Sequence, residues 1–286
     1  MSLGKTTSGL ITAWLAIALF LTVGVQTLGQ GSITGDEVLL NVDRQQEKIS
    51  KGDVISILTF EIVNPDETET DLRFGSLAKK EPGGPNYTLI YFLEPEDWSG
   101  SKILIRETDQ GKTEMWQLLS ALPRVIKIPS SQQQGSFAGS NLTFQEIGSR
   151  NMSEKYNAEL IDETNLTIEG EKVPAYVLET EVKEDATSKY PSGKVWVGKD
   201  NWLILKSEDY NRNGELARVT EVKELGTFEG KTVTKKLVAE SKLDESSTTV
   251  TFEKRERPEE EIPVEVFNPD NLTEFDPERW GLIQSS

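Results

Sequence analysis

Several stretches of this chain carry apolar side chains on both faces of what reads as a strand, and this restricts the folds open to it. Ile55 and Ile57 alternate with Leu58, Phe60 and Ile62; Leu89, Tyr91 and Leu93 alternate with Ile90 and Phe92; Leu203 and Leu205 alternate with Trp202 and Ile204. A single sheet with one wet face alternates apolar with polar. These strands need cover on both sides, yet the chain offers one long helix and one irregular segment to supply it. Two architectures satisfy that demand: a two-sheet sandwich, or a sheet that curls around an apolar interior with the helix and the irregular segment plugging its mouth.

The strands themselves follow from alternation bounded by turn residues. They are read at Ile55–Val63, Thr70–Leu77, Tyr87–Leu93, Lys102–Glu107, Glu114–Leu119, Arg124–Ile128, Ala158–Glu163, Val173–Val182, Gly193–Val197, Trp202–Asp209, Leu216–Val222, Thr232–Ala239 and Thr248–Phe252. Asn64-Pro65-Asp66, Glu169-Gly170, Arg212-Asn213-Gly214 and Glu229-Gly230 supply turns, and Asp109-Gln110-Gly111-Lys112 is a hairpin signal. Before them, Thr34 with Glu37 three residues on forms a capping box for a helix over about Gly35 to Ile49. Pro129 to Ser153 lacks alternation and is the irregular segment. Lys254 to Ser286 is acidic and proline-bearing, and its Glu259-Glu260-Glu261 run reads as a solvated face or linker.

The N-terminus has the layout of a secretory signal peptide: Lys5, an apolar run from Leu10 to Val25, then Thr27-Leu28-Gly29 as a small-residue cleavage site. The alternative is an uncleaved inner-membrane tether. Either places the remainder outside the cytoplasm. The domain division is 1–29 signal peptide, 30–272 main domain and 273–286 acidic C-terminal tail.

Of the 286 residues none is Cys or His, and the net charge is −17. Disulfides, thiol nucleophiles, His bases and His or Cys metal sites are excluded. So strong a negative charge repels phosphate backbones, so nucleic acid is no partner. Asp209-Tyr210-Asn211-Arg212-Asn213-Gly214 copies half of a calcium loop, but Thr220 stands where the bidentate acid belongs, so it reads as a hairpin turn. Glu94, Glu96 and Asp97 form an acid cluster of the kind that acid-rich chains produce routinely. No catalytic residue, metal or organic cofactor is expected.

Three stretches resemble the outer-membrane lipoprotein-sorting (LolA-like and LolB-like) proteins. Tyr91-Phe92-Leu93-Glu94-Pro95-Glu96-Asp97-Trp98-Ser99-Gly100 is similar to the family's Phe-x-x-Pro-x-x-x-x-Gly segment. Met115-Trp116-Gln117-Leu118-Leu119 through Leu122-Pro123-Arg124-Val125-Ile126-Lys127-Ile128 resembles its Trp-x-Tyr-x-Pro strand and basic follow-on. Gly135-Ser136-Phe137-Ala138-Gly139-Ser140-Asn141-Leu142-Thr143-Phe144 resembles its Ser-Phe-x-Gly-Ser-Asp-Phe-x-Tyr box. Asn141 stands where the family usually has Asp, Leu142 replaces an aromatic residue and Phe144 replaces Tyr.

The resemblance implies a mainly β (α+β) fold: a strongly curved, unclosed antiparallel β-barrel of about 11–13 strands with an N-terminal helix and a short helical lid in its opening. It implies a non-enzymatic periplasmic chaperone, acting as a monomer, that carries acyl chains of lipoproteins or other lipids toward the outer membrane. An inner-membrane transporter would be its donor and an outer-membrane protein its acceptor. The alternative is a lipid-sensing regulatory or exporter-associated module of the same fold. Phe60, Ile62, Ile90, Phe92, Trp116, Leu118 and Trp196 are the expected cavity lining. Phe137, Leu142, Phe144 and Ile147 are the expected lid contacts, with Gly135 and Gly139 as hinges.

Overall fold

The computed structural model describes residues 33–80, 84–108, 112–148 and 151–283. The signal-peptide reading of 1–29 and most of the 109–112 hairpin lie outside the described residues. Helix α1 (Gly35–Ser50) opens the described part. Its capping box is formed: the Thr34 backbone N–H donates to the Glu37 carboxylate at 2.8 Å, and the Glu37 N–H donates to the Thr34 hydroxyl at 3.2 Å. Val38, Leu39, Val42 and Ile49 are its buried stripe.

Thirteen antiparallel strands then make one sheet: β1 (Gly52–Val63), β2 (Glu69–Lys80), β3 (Asn86–Glu94), β4 (Lys102–Glu107), β5 (Thr113–Leu119), β6 (Leu122–Ile128), β7 (Tyr156–Ile168), β8 (Glu171–Val182), β9 (Ser192–Gly198), β10 (Ile204–Tyr210), β11 (Leu216–Phe228), β12 (Lys231–Ser241) and β13 (Ser247–Glu256). Each overlaps a strand expected from alternation. Trp202 is excluded from β10 because its φ of 54° belongs to the preceding turn. The order in the sheet is β6-β5-β4-β3-β2-β1-β13-β12-β11-β10-β9-β8-β7. The sheet is not closed, since β6 and β7 are its two ends.

This order explains the irregular segment. The chain meanders from β1 outward to one edge, then must reach the opposite edge before meandering back to β13 beside β1. Residues 129–155 make that crossing, with α2 (Phe144–Gly148) and α3 (Met152–Lys155) inside it.

Both faces of the first half of the sheet are buried. Leu58, Phe60, Ile62, Phe74, Ile90, Phe92 and Met115 face the concave side, with Phe137 packed among them. Ile55, Ile57, Leu77, Leu89, Leu104 and Leu118 face the convex side. There they meet Ile262, Phe267, Leu272, Trp280 and Leu282. The reading of Glu259-Glu260-Glu261 as a solvated face holds. Glu259, Glu260 and Glu261 are exposed, but the apolar residues after them form a strap over the outer face. Gly75 is the notch for its end, because a Cβ there would lie 2.5 Å from the Leu282 side chain. Lys79 anchors its start through Asp53 at 3.4 Å and Glu261 at 2.8 Å, while Asp53 accepts the Ile262 N–H at 2.6 Å.

Candidate functional site: a half-filled concave face

The concave face changes character along the strands. Side chains on one face recur every second residue, so Val54, Ser56, Leu58, Phe60 and Ile62 of β1 form one row. Across from them on β2 stand Ala78, Ser76, Phe74 and Leu72, paired to Val54, Ser56, Leu58 and Phe60. One end of this double row is aromatic and bulky; the other is Ser, Ala and Val. β3 repeats the gradient, with Phe92 opposite Phe74 and Thr88 opposite Ala78.

At the bulky end the space is filled. Phe137 is fully buried, and its ring centroid lies 5.8 Å from Phe60, 5.9 Å from Phe74, 6.1 Å from Phe92 and 5.5 Å from Phe144. It projects from a tight hairpin in which its N–H donates to the Leu142 carbonyl at 2.7 Å and Ser136 bridges Thr143. Gly139 takes φ of 85° at the tip, a conformation that costs a residue with a Cβ. Gly135 is a packing position: a Cβ there would lie 3.0 Å from the Gln132 carbonyl oxygen.

At the small-residue end a cavity of about 430 Å3 remains. Leu58, Phe60, Phe74 and Ile90 form its upper wall, Leu203, Leu205, Val222 and Leu237 its far wall, and Val42, Ile49, Ile147 and Met152 its helical cover. Its volume lies in the range of roughly 300–1,000 Å3 usual for small-molecule sites. The lining is mainly apolar, with hydroxyls such as those of Ser56 and Ser76, the Gln46 amide and the charged Glu146, Lys206 and Arg255 among it.

Phe60 and Ile90 thus line the cavity. Ile62 and Phe92 are on the same concave face but belong to the packed end around Phe137. Leu142, Phe144 and Ile147 pack against that cluster from the crossing segment. Three expected lining residues are misplaced. Trp116 and Leu118 flank Gln117 on the convex side, under the C-terminal strap, while Met115 faces in. Trp196 lies between Val195 and Val197, which face α1, so its ring is on the other side, where Lys206 rests 4.9 Å from its centroid. In each case a shift of one residue reverses the face.

The crossing segment is tied to the far wall by a polar cluster that alternation does not reveal. Arg218 of β11 has only 5% of its side chain exposed. It donates to the Asn141 carbonyl at 2.8 Å, to Asp209 at 2.9 Å and to Glu146 at 3.1 Å. Asp209 is its cross-strand partner on β10, so the residue read as a turn fragment is one wall of this cluster. Burial resists the charge on Glu146, but attraction to Arg218 and hydrogen bonds from Arg218 and Thr143 outweigh it and hold its carboxyl below the ordinary range. Burial dominates at Asp209 and raises it despite Arg218. Burial also lowers neighbouring Lys155 and pushes the Tyr156 hydroxyl up to about 12. Asn141 completes the tie: its amide donates to Ser246 at 2.8 Å and accepts from the Thr248 hydroxyl at 2.8 Å. The Ser246 hydroxyl in turn donates to Asp244 at 2.7 Å, so it accepts from the Asn141 amide with its proton already placed.

A family model described as "-like: Uncharacterized protein" matches residues 84–274. The chain belongs to this family. In structure the chain is similar to a DUF1329 family protein from Desulfovibrio piger, at 22% identity and TM-score 0.75, over 83% of this chain and 97% of that one. It is likewise similar to a domain named for outer membrane lipoprotein sorting from Vibrio parahaemolyticus, at 22% identity and TM-score 0.73, over 84% of this chain and 98% of that one. A LolA superfamily protein from Nitrosomonas europaea matches at 18% identity and TM-score 0.62, over 84% and 99%. No curated protein matches the sequence. These likenesses establish the fold, and the resemblance drawn from the three sequence motifs agrees with them. Among the described residues no helix is long and apolar enough to cross a membrane.

Proposed function

We propose that this protein is a periplasmic carrier that shelters acyl chains of lipoproteins or other lipids in its concave cavity and passes them toward the outer membrane. The observation that carries this reading is the unfilled apolar space beside Ser56, Ser76 and Ala78, in a face otherwise packed by aromatic rings. Each methylene sheltered there contributes about 0.8 kcal/mol, so a chain of moderate length offsets much of the cost of leaving a bilayer. Release requires a cover that can part from the wall. The crossing segment is such a cover, and Arg218 holds it closed through Asn141 and Glu146. No covalent chemistry is needed. Native mass spectrometry of the protein extracted gently from its own envelope tests the reading. Acyl-bearing adducts that leave on delipidation are expected; a protein that is ligand-free as isolated and takes up no acyl compound overturns it.

A further inference from the structure

Two lysines are buried on the convex face that the C-terminal strap covers, Lys79 at 5% exposed and Lys102 at 8%. Their surroundings differ. Lys79 pairs with Asp53 at 3.4 Å and with Glu261 at 2.8 Å. Burial works against its charge, but the hydrogen bonds and attraction of the two carboxylates outweigh burial and hold the amine above its ordinary range. Lys102 opens β4 and stands between Tyr91 of β3 and Leu118 of β5. Its Nζ lies 5.6 Å from the centroid of the Tyr91 ring, and Phe275 of the strap packs against that ring at 5.8 Å. Among the described residues Lys102 has no carboxylate and no hydrogen-bond partner. Burial therefore acts on the amine unopposed and pushes it below its ordinary range.

The amine is still within reach of solvent. Among the described residues, the partnerless side-chain atoms sealed from water are Asn86 Oδ1 and Thr220 Oγ1. The Lys102 Nζ is not one of them, so it keeps a contact with water. A buried ammonium without a counter-charge is uncompensated. Loss of its proton removes the charge and exposes a lone pair on nitrogen, the form of lysine that attacks a carbonyl carbon. An imine formed there is also uncharged, so the same desolvation that favours the free amine favours the product.

We propose that Lys102 is a covalent site for a small aldehyde, held as an imine on the outer face of the sheet, apart from the acyl hollow. The Nζ lone pair forms the C–N bond as the carbonyl π pair moves to oxygen, giving a carbinolamine. That oxygen then leaves as water with the two amine hydrogens as the C=N bond forms. Amine and aldehyde give imine and water, with no change of oxidation state. The slight exposure of Lys102 and the nearby Phe275 ring restrict the aldehyde to a small one.

The test is reductive methylation of the intact protein with formaldehyde and dimethylamine-borane, followed residue by residue by peptide mass spectrometry over a range of pH. At neutral pH Lys102 should be modified several-fold faster than exposed Lys51, and its rate should reach a plateau at lower pH. Lys102→Arg should remove the fast site and leave the rate at Lys51 unchanged. A Lys102 rate equal to or below that of Lys51 at neutral pH, or a plateau at the same or higher pH, overturns the site. The wild-type rates decide even where the variant fails to fold, and neither outcome bears on the carrier reading.

Discussion

The two ends of one concave face are built from the same strands, yet one is solid and the other hollow. The difference lies in single positions of each strand. Phe60 and Phe74 at one end become Ser56, Ser76 and Ala78 at the other, and the crossing segment offers Phe137 only to the first. Packing at organic-crystal density is what a protein interior ordinarily reaches. The small side chains at the hollow end hold that end back from it. Stability is thus concentrated at the plugged end, and capacity for a guest at the other.

That division can be attacked at both ends. Phe137→Ala should cost about 3–5 kcal/mol, as removal of a buried aromatic does, read as a drop in the urea midpoint. A loss below 1 kcal/mol would mean that the plug is dispensable. Arg218→Met should cost about 3–5 kcal/mol, because Glu146 and Asp209 would be left buried without their cation. Amide exchange should rise across residues 136–148 ahead of the strands; uniform protection would refute the latch. Ser76→Phe should do the converse, filling the hollow with a stability change of about 1 kcal/mol or less while weakening acyl binding at least tenfold. Affinity equal to wild type would place the ligand elsewhere.

The smallest effect concerns a charge cluster on the convex side. Glu114 accepts from Lys127 at 2.7 Å and from Arg106, and these bonds hold its carboxyl at about 2 against an ordinary 4.5. A depressed carboxyl pKa gives stability that is complete above the unfolded value and fades as pH falls toward the folded one. NMR titration should therefore find Glu114 still ionised at pH 3.5. A midpoint near 4.5 would show that the pair is open in solution.

The strands and the helix were legible because their signals are local: alternation, turn residues and a capping box. The unclosed barrel was legible from strands such as β1 and β3, apolar on both faces, joined to the motif resemblance. The faces of Trp116, Leu118 and Trp196 were not, since alternation gives two rows and does not say which is concave. At β5 the larger ring drew the choice, while Met115 was the inward residue. The strap from Ile262 to Leu282 was hidden because its apolar residues are spaced irregularly among acids and proline, and their partners lie about two hundred residues away. The Arg218 cluster was hidden for a related reason. Asp209 and Arg218 meet through strand register, and Glu146 arrives from a segment that crosses the mouth.

The most direct trial is to locate an acyl chain by diffraction. Crystals grown with palmitate brominated at its terminal carbon should give an anomalous bromine peak inside the hollow, between Ser76, Ile90 and Leu237. A peak on the convex side beneath the C-terminal strap, or none at saturating ligand, would contradict the account.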